Sequence, residues 1–226
     1  MTELYYRPVV NGFDECERII HERSILLDMA DTGCHYQLSD NVHTAKAYLF
    51  PPMLERATNR KRLAERLFRG MWESDVNPRE DINVLVGLGI AAMPLVYTLQ
   101  DMGALEHTRA IYMEERNQEM VLGPGFSLRE NEKVFLVHLA AVSFRRIWRA
   151  IGAMNCLAEK TGIQPCVQGF AVLIDRSPDD SSWRRDFCAF KKVVGIRSPI
   201  VAYPAAPLLC PLCLKDVPLV DLRGLA

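Results

Sequence analysis

Apolar positions along this chain change period as it is read, and the changes mark a succession of elements. Over about 13–30, Cys16, Ile19, Ile20, Leu26 and Leu27 recur at helical spacing against Glu15, Arg18, Glu22 and Arg23, which predicts an amphipathic helix. Residues 33–39 predict a strand and turn, and 43–50 another strand. Pro51 and Pro52 end that extended run and open a second helix through about Met71, with Arg56, Arg60, Lys61, Arg62, Arg66 and Arg69 on its outer face. Beyond the Pro78 loop the apolar runs become short and continuous, as in buried strands: 82–87, 109–113, 133–138 and 166–174. Between them, 91–102 and 143–160 predict helices, with Gly103 and Gly162 as their stops. Strands alternating with helices of this length predict an α/β fold, a parallel sheet with helices on both faces. From Ser198 onward, Pro199, Pro204, Pro207, Pro211 and Pro218 predict a proline-rich arm outside that sheet.

Composition narrows the classes. The 226 residues are 49% hydrophobic and 24% charged, enough for one domain with a sizeable core and unlike a disordered or fibrous chain. A net charge of -1 gives bulk electrostatics no preference for a polyanion. No apolar run approaches the roughly 20 residues of a membrane span, so no membrane partner is expected. The opening Met1-Thr2-Glu3-Leu4 lacks the basic and apolar regions of a secretory signal. Seven scattered cysteines, an odd number, point to a reducing compartment, the cytoplasm or an organelle. Cys210-Pro211-Leu212-Cys213 is the one close pair and supplies two of the four ligands of a structural zinc. His35, Cys34 and Cys188 could complete a site only by accident of folding. The expectation is therefore no metal, and buried thiols beside a proline turn.

The junction that follows the 133–138 strand carries the most information. Nucleotide and phosphoribosyl binders place Gly, Ser or Thr at such a strand-to-helix turn, so that backbone N–H groups can close on a phosphate. This chain has Leu139, Val142, Phe144 and Arg145 there. Bulky side chains at these positions are expected to keep a phosphate from approaching the backbone.

From 82 to about 177 the layout resembles the type I phosphoribosyltransferases, and within them orotate phosphoribosyltransferase. The stretch 81–87 with Leu88-Gly89-Ile90 is similar to that family's first central strand and turn. The 109–114 stretch is similar to the next strand, and Met120-Val121-Leu122 with Gly125-Phe126 to the flexible hood after it. The strand entering the phosphoribosyl loop is matched by 132–137, and a later strand by 169–177. Cys210-Pro211-Leu212-Cys213 with Val217-Pro218-Leu219-Val220 resembles the tail of some members. The resemblance implies a single phosphoribosyltransferase-like domain over 1–226, with N-terminal helices and hood in 1–75, the core sheet in 76–197 and the tail in 198–226. It also implies a dimer, or a heteromer built on the same surface.

The departures fall on the working parts. Active members carry an adjacent acidic pair and a Thr/Gly run that grip the ribose hydroxyls and 5-phosphate of phosphoribosyl pyrophosphate; here His138-Leu139 replaces the pair and Val142-Ser143-Phe144-Arg145-Arg146 the run. The basic hood positions hold Glu115, Glu119, Gly123 and Pro124, with Arg116 one position away, although leaving pyrophosphate needs cations there. Gly89-Ile90-Ala91-Ala92 likewise puts Cβ atoms where glycine usually lets the backbone approach. The reading is a non-catalytic structural or regulatory subunit acting through protein contacts, with no catalytic residue and no cofactor. One alternative is a divergent transferase that makes orotidylate or a related nucleotide with magnesium, relying on Arg116, Lys46 and His138. Another is an RNA-binding regulator using Arg145, Arg146 and the Arg56–Arg69 face.

Other candidates read as structural. Lys46 is the residual ligand contact if one survives, against a solvated lysine on a strand edge. His138 has no paired cysteine or serine that would make it a base, so it reads as a scaffold histidine. Asp175-Arg176-Ser177 ends a strand at the carboxyl edge, where open sheets bind ligands, yet in this family it is mostly structural. Trp72, Trp148 and Trp183 are too dispersed for a base-stacking platform.

Overall fold

A six-stranded sheet organises the chain, and its strands follow the buried apolar runs. The computed structural model describes residues 12–22, 25–39, 42–117, 119–178, 186–206 and 208–222. In chain order come α1 (Gly12–Ile20), β1 (Leu26–Asp28), α2 (Met29–Thr32), β2 (His35–Ser39), β3 (Val42–Thr44) and β4 (Lys46–Tyr48). Next are α3 (Phe50–Glu55), α4 (Ala57–Glu73), α5 (Pro78–Asp81), β5 (Val84–Leu88), a 3-10 turn (Ile90–Ala92) and α6 (Met93–Gln100). The second half contains β6 (Arg109–Arg116), β7 (Glu119–Leu122), β8 (Lys133–Ala141), α7 (Arg145–Thr161), β9 (Cys166–Asp175) and β10 (Lys191–Arg197). The tail adds β11 (Ala202–Pro204), a 3-10 turn (Cys213–Lys215) and β12 (Leu219–Asp221).

The central sheet runs β10-β9-β8-β5-β6-β7, parallel throughout except for β7, which pairs antiparallel with β6. Alternate residues of its strands feed two cores, as a pleated sheet requires. Leu85, Phe135, Val137, Ala171, Leu173 and Val193 face α1, α3, α4 and α6; Val84, Val86, Val134, Leu136, Phe170 and Val172 face α7. Both faces are covered, which is why these strands read as continuous apolar runs. Gly70 lets α4 lie close on the sheet, since a Cβ there would come within 2.8 Å of Val193. Gly162, at φ 73°, closes α7 as expected.

Several elements depart from expectation for identifiable reasons. The helix expected over 13–30 stops at Ile20, and Leu26–Asp28 instead pairs with β4, burying Ile25. The helix after Pro51 is two helices broken at Arg56, whose backbone is extended at φ -75°, ψ 119°. The sheet also contains β10, absent from the expected strands. The tail stays outside the main sheet, but it is not a simple arm: β11 and β12 flank β3 and β2 in a second sheet ordered β11-β3-β2-β12. Among the described residues, no helix is long and apolar enough to cross a membrane.

Candidate functional site

The chain leaves β5 toward β6 on one side and returns through β8 on the other, so the strand order reverses between β5 and β8. Open α/β sheets bind ligands at the carboxyl ends of strands flanking such a reversal. On the β5 side stand Gly89, at φ 98°, and Ile90, 67% exposed. An exposed isoleucine cannot counter phosphate charge.

On the β8 side the strand runs past the expected loop start. Ala140 and Ala141 pair with Ile174 and Asp175 of β9, so His138 and Leu139 lie inside the sheet. Leu139 belongs to the core of the α4–α6 face. His138 is buried, and burial together with nearby Arg146 holds its imidazole down to about 3, against a hydrogen bond with the Leu88 backbone. It is therefore neutral at physiological pH, and its Nδ1 has no partner. Neither residue offers the carboxylate that would hold ribose hydroxyls.

Three residues, Val142, Ser143 and Phe144, join β8 to α7. Phe144 takes the left-handed conformation, φ 56°, and its ring turns inward, 2% exposed. It lies 5.9 Å from Phe170 and 6.2 Å from Phe187, in a group completed by Trp148 stacked on Phe187 at 4.2 Å. The steric expectation is corrected here: the Phe144 ring points into the core and anchors the turn from below, so it does not stand over the turn. Ser143, Arg145 and Arg146 remain exposed above it.

The hood positions form an ordered hairpin. Glu115 pairs with Met120 and Arg116 with Glu119 across β6 and β7. Glu115 faces α7, with Oε1 at 2.7 Å from Arg149 Nη1 and Oε2 at 3.8 Å from Arg146 Nη2. Arg116 is taken by Glu114. Gly123 lies under Tyr112, with its N–H donating to the Tyr112 carbonyl at 2.9 Å, and Pro124 is exposed. Between the hairpin and α7 lies a groove of about 430 Å³, lined by Met113, Met120, Leu122, Arg149, Met154 and Leu157.

The remaining cations are largely engaged. Lys46 Nζ lies 2.9 Å from Asp28 Oδ2, while the Lys46 carbonyl accepts from Arg176 at 2.7 Å. Arg176 also lies over the Tyr48 ring at 5.0 Å, tying the N-terminal strands to the carboxyl edge. Along the Arg56–Arg69 face, Arg56 pairs with Glu22, Arg62 with Glu15 and Arg66 with Glu73, and Arg60 donates to the carbonyls of Leu54 and Glu55. Such pairing leaves much less charge for a nucleic acid than the sequence suggests. Asp175, fully buried, accepts from Arg197 at 2.5 Å and from the Ser177 hydroxyl at 2.6 Å. Trp183 lies outside the described residues.

One further group is brought together from distant parts of the chain. Donor atoms of His35, His43, Cys210 and Cys213 all lie within 4.8 Å of one another. Of the residues the sequence offered to complete the Cys210–Cys213 pair, His35 joins the group and Cys34 and Cys188 do not, while His43 gave no local signal. Here the fold supplies four donors.

With this geometry in view, comparison with solved structures is informative. The chain superposes on orotate phosphoribosyltransferase from Aeropyrum pernix with a TM-score of 0.58 at 12% identity, covering 80% of this chain and 92% of that one. A phosphoribosyltransferase from Corynebacterium diphtheriae gives 0.57 at 13%, covering 82% and 95%. UMP synthase from Leishmania donovani gives 0.58 at 9%, covering 81% of this chain, which spans 36% of that protein. No protein-family model matches the chain, and neither does any curated protein sequence. The chain has the type I phosphoribosyltransferase fold: a mostly parallel central sheet flanked by helices.

Proposed function

We propose that this chain is a non-catalytic protein on the phosphoribosyltransferase fold, a structural or regulatory subunit that acts through contacts with a protein partner or a second copy. The observation that carries the reading is the pair His138 and Leu139. At the positions of the ribose-gripping acidic pair it has a buried neutral imidazole and a core leucine. A sugar diphosphate brings several negative charges and a diol, and stabilising them needs preorganised cations, amides and carboxylates. Glu115 instead opposes the leaving group and also neutralises Arg146 and Arg149.

A divergent transferase would need Arg116, Lys46 and His138 in new roles. Arg116 is held by Glu114, Lys46 by Asp28, and His138 is buried without charge. Contact with other protein is supported by the tail, where Leu208, Leu209, Leu214, Leu219 and Val220 are all exposed on one segment, Leu208 by 82%.

The test is turnover together with association state. Purified protein with phosphoribosyl pyrophosphate, magnesium and, in turn, orotate, uracil and the purine bases is expected to release no pyrophosphate. Native protein isolated from its source is expected to migrate as a complex or dimer. Pyrophosphate release with any base, lost on Arg116→Ala, favours the transferase.

A further inference from the structure

We propose that His35, His43, Cys210 and Cys213 bind one structural zinc ion that clasps the C-terminal tail onto the N-terminal strands. This does not depend on whether the chain is a transferase.

The donor set is the first argument. Two imidazoles and two thiols are the ligands zinc takes in closed tetrahedral sites. Zinc–sulfur and zinc–nitrogen bonds of about 2.3 and 2.05 Å at tetrahedral angles place N and S donors about 3.6 Å apart. Cys213 Sγ lies 3.4 Å from His35 Nε2 and 3.4 Å from His43 Nδ1. No donor pair exceeds 4.8 Å, so a contraction of about 1 Å would bring the four around one ion.

The second argument is how the backbone presents them. His35 and His43 sit on β2 and β3, adjacent antiparallel strands, with ring centroids 5.1 Å apart. Cys210 and Cys213 come from a tight turn in which Leu214 N–H donates to the Cys210 carbonyl and Asp216 N–H to the Cys213 carbonyl. The His35 N–H donates to the Pro218 carbonyl at 2.8 Å, and β12 then pairs with β2, which locks this turn against the histidine strands. The contacts span 170 and 178 residues, so neither strand spacing nor turn geometry alone would bring the four together.

The third argument is what the small sheet otherwise lacks. Its own core is Tyr36, Ala47 and Leu222, with Leu27 and Leu38 partly buried. So small a cluster gives this sheet little apolar burial of its own with which to hold the tail. In the tail Leu208, Leu209, Leu214 and Leu219 are exposed, which leaves Leu212 and Leu222 as its buried leucines. His35 is fully buried and turns its Nε2 toward Cys213 Sγ, where a metal bond would hold the imidazole. With four protein ligands the site has no open position, so its role is structural and not Lewis-acid catalysis.

The test uses the full chain expressed without a polyhistidine tag. Elemental analysis is expected to find one zinc per chain, and cobalt(II) substitution to give the intense visible bands of tetrahedral thiolate coordination. Cys213→Ser and His43→Ala should lose the zinc, whereas Cys188→Ser and Cys156→Ser should keep it. Because the ligand variants could misfold, the wild-type protein is also treated with a chelator. Zinc release should then make the 205–222 segment cleavable by protease while the central sheet stays resistant. Absence of stoichiometric zinc with only weak octahedral cobalt bands, or mass-spectrometric detection of a native Cys210–Cys213 disulfide, overturns the proposal.

Discussion

Glu115 Oε1 stands 2.7 Å from Arg149 Nη1, joining the hairpin to the second turn of α7. Half-exposed pairs of this kind contribute about 0.2–1 kcal/mol. Glu115→Gln is therefore expected to change thermal stability little while freeing Arg149 and Arg146 for an external anion. Elution from heparin should move to higher salt, and the move should disappear when both arginines are also changed to Ala. Unchanged elution would show that this carboxylate does not mask the helix cations.

Phe144 combines a buried ring with a left-handed backbone, so two effects oppose each other there. Removing a core phenylalanine costs about 3–5 kcal/mol. The backbone strain relieved by glycine at positive φ is about 1 kcal/mol. Phe144→Ala should thus destabilise by several kcal/mol in urea unfolding, and Phe144→Gly by about 1 kcal/mol less. A glycine variant at least as unstable as the alanine variant contradicts the left-handed turn.

His138 makes stability depend on pH. Its folded imidazole is held at about 3, against about 6.5 for the unfolded chain. As pH falls through about 6.5 the unfolded state takes up the proton first, so folding loses about 1.4 kcal/mol per pH unit until the folded value is reached. His138→Gln keeps a donor for the Leu88 backbone without a titrating group, and it should flatten the stability profile between pH 6 and 4 by about that slope. An unaltered acid limb would place the imidazole in solvent.

Much of the central sheet was legible in the sequence because β5, β6, β8 and β9 are buried on both faces and read as unbroken apolar runs. The β10 strand was not, since Lys191, Lys192 and Arg197 leave only the short run Val193–Ile196 between them. Its Lys191 is spent on Asp81, a contact no local pattern reveals. The first helix was overextended because Leu26 and Leu27 keep helical spacing although they belong to a strand. At the site, the residue types standing at 138, 139 and 142–146 were readable directly. The inward turn of Phe144, the Glu115–Arg149 pair and the meeting of His43 with Cys213 were not, because each depends on contacts across the fold.

Asp175 and Arg197 test the structural reading of the 175–177 segment. The carboxylate is fully buried while Arg197 is partly exposed, so removing Asp175 forfeits its charge-assisted hydrogen bonds at a cost of about 1.5–3 kcal/mol. Asp175→Ala should lower unfolding stability by that order, with Ser177 also losing its acceptor. A variant of wild-type stability would mean that Asp175 is kept for a ligand and not for the edge of the sheet.

Calorimetric titration of phosphoribosyl pyrophosphate with magnesium into the purified protein addresses the β5–β8 crevice most directly. Without carboxylates at 138 and 139 and with Glu115 across the hood, no saturable heat is expected, meaning an affinity weaker than about 1 mM. Saturable binding near 1 μM, equivalent to about -8 kcal/mol, would contradict a crevice that has lost its sugar diphosphate.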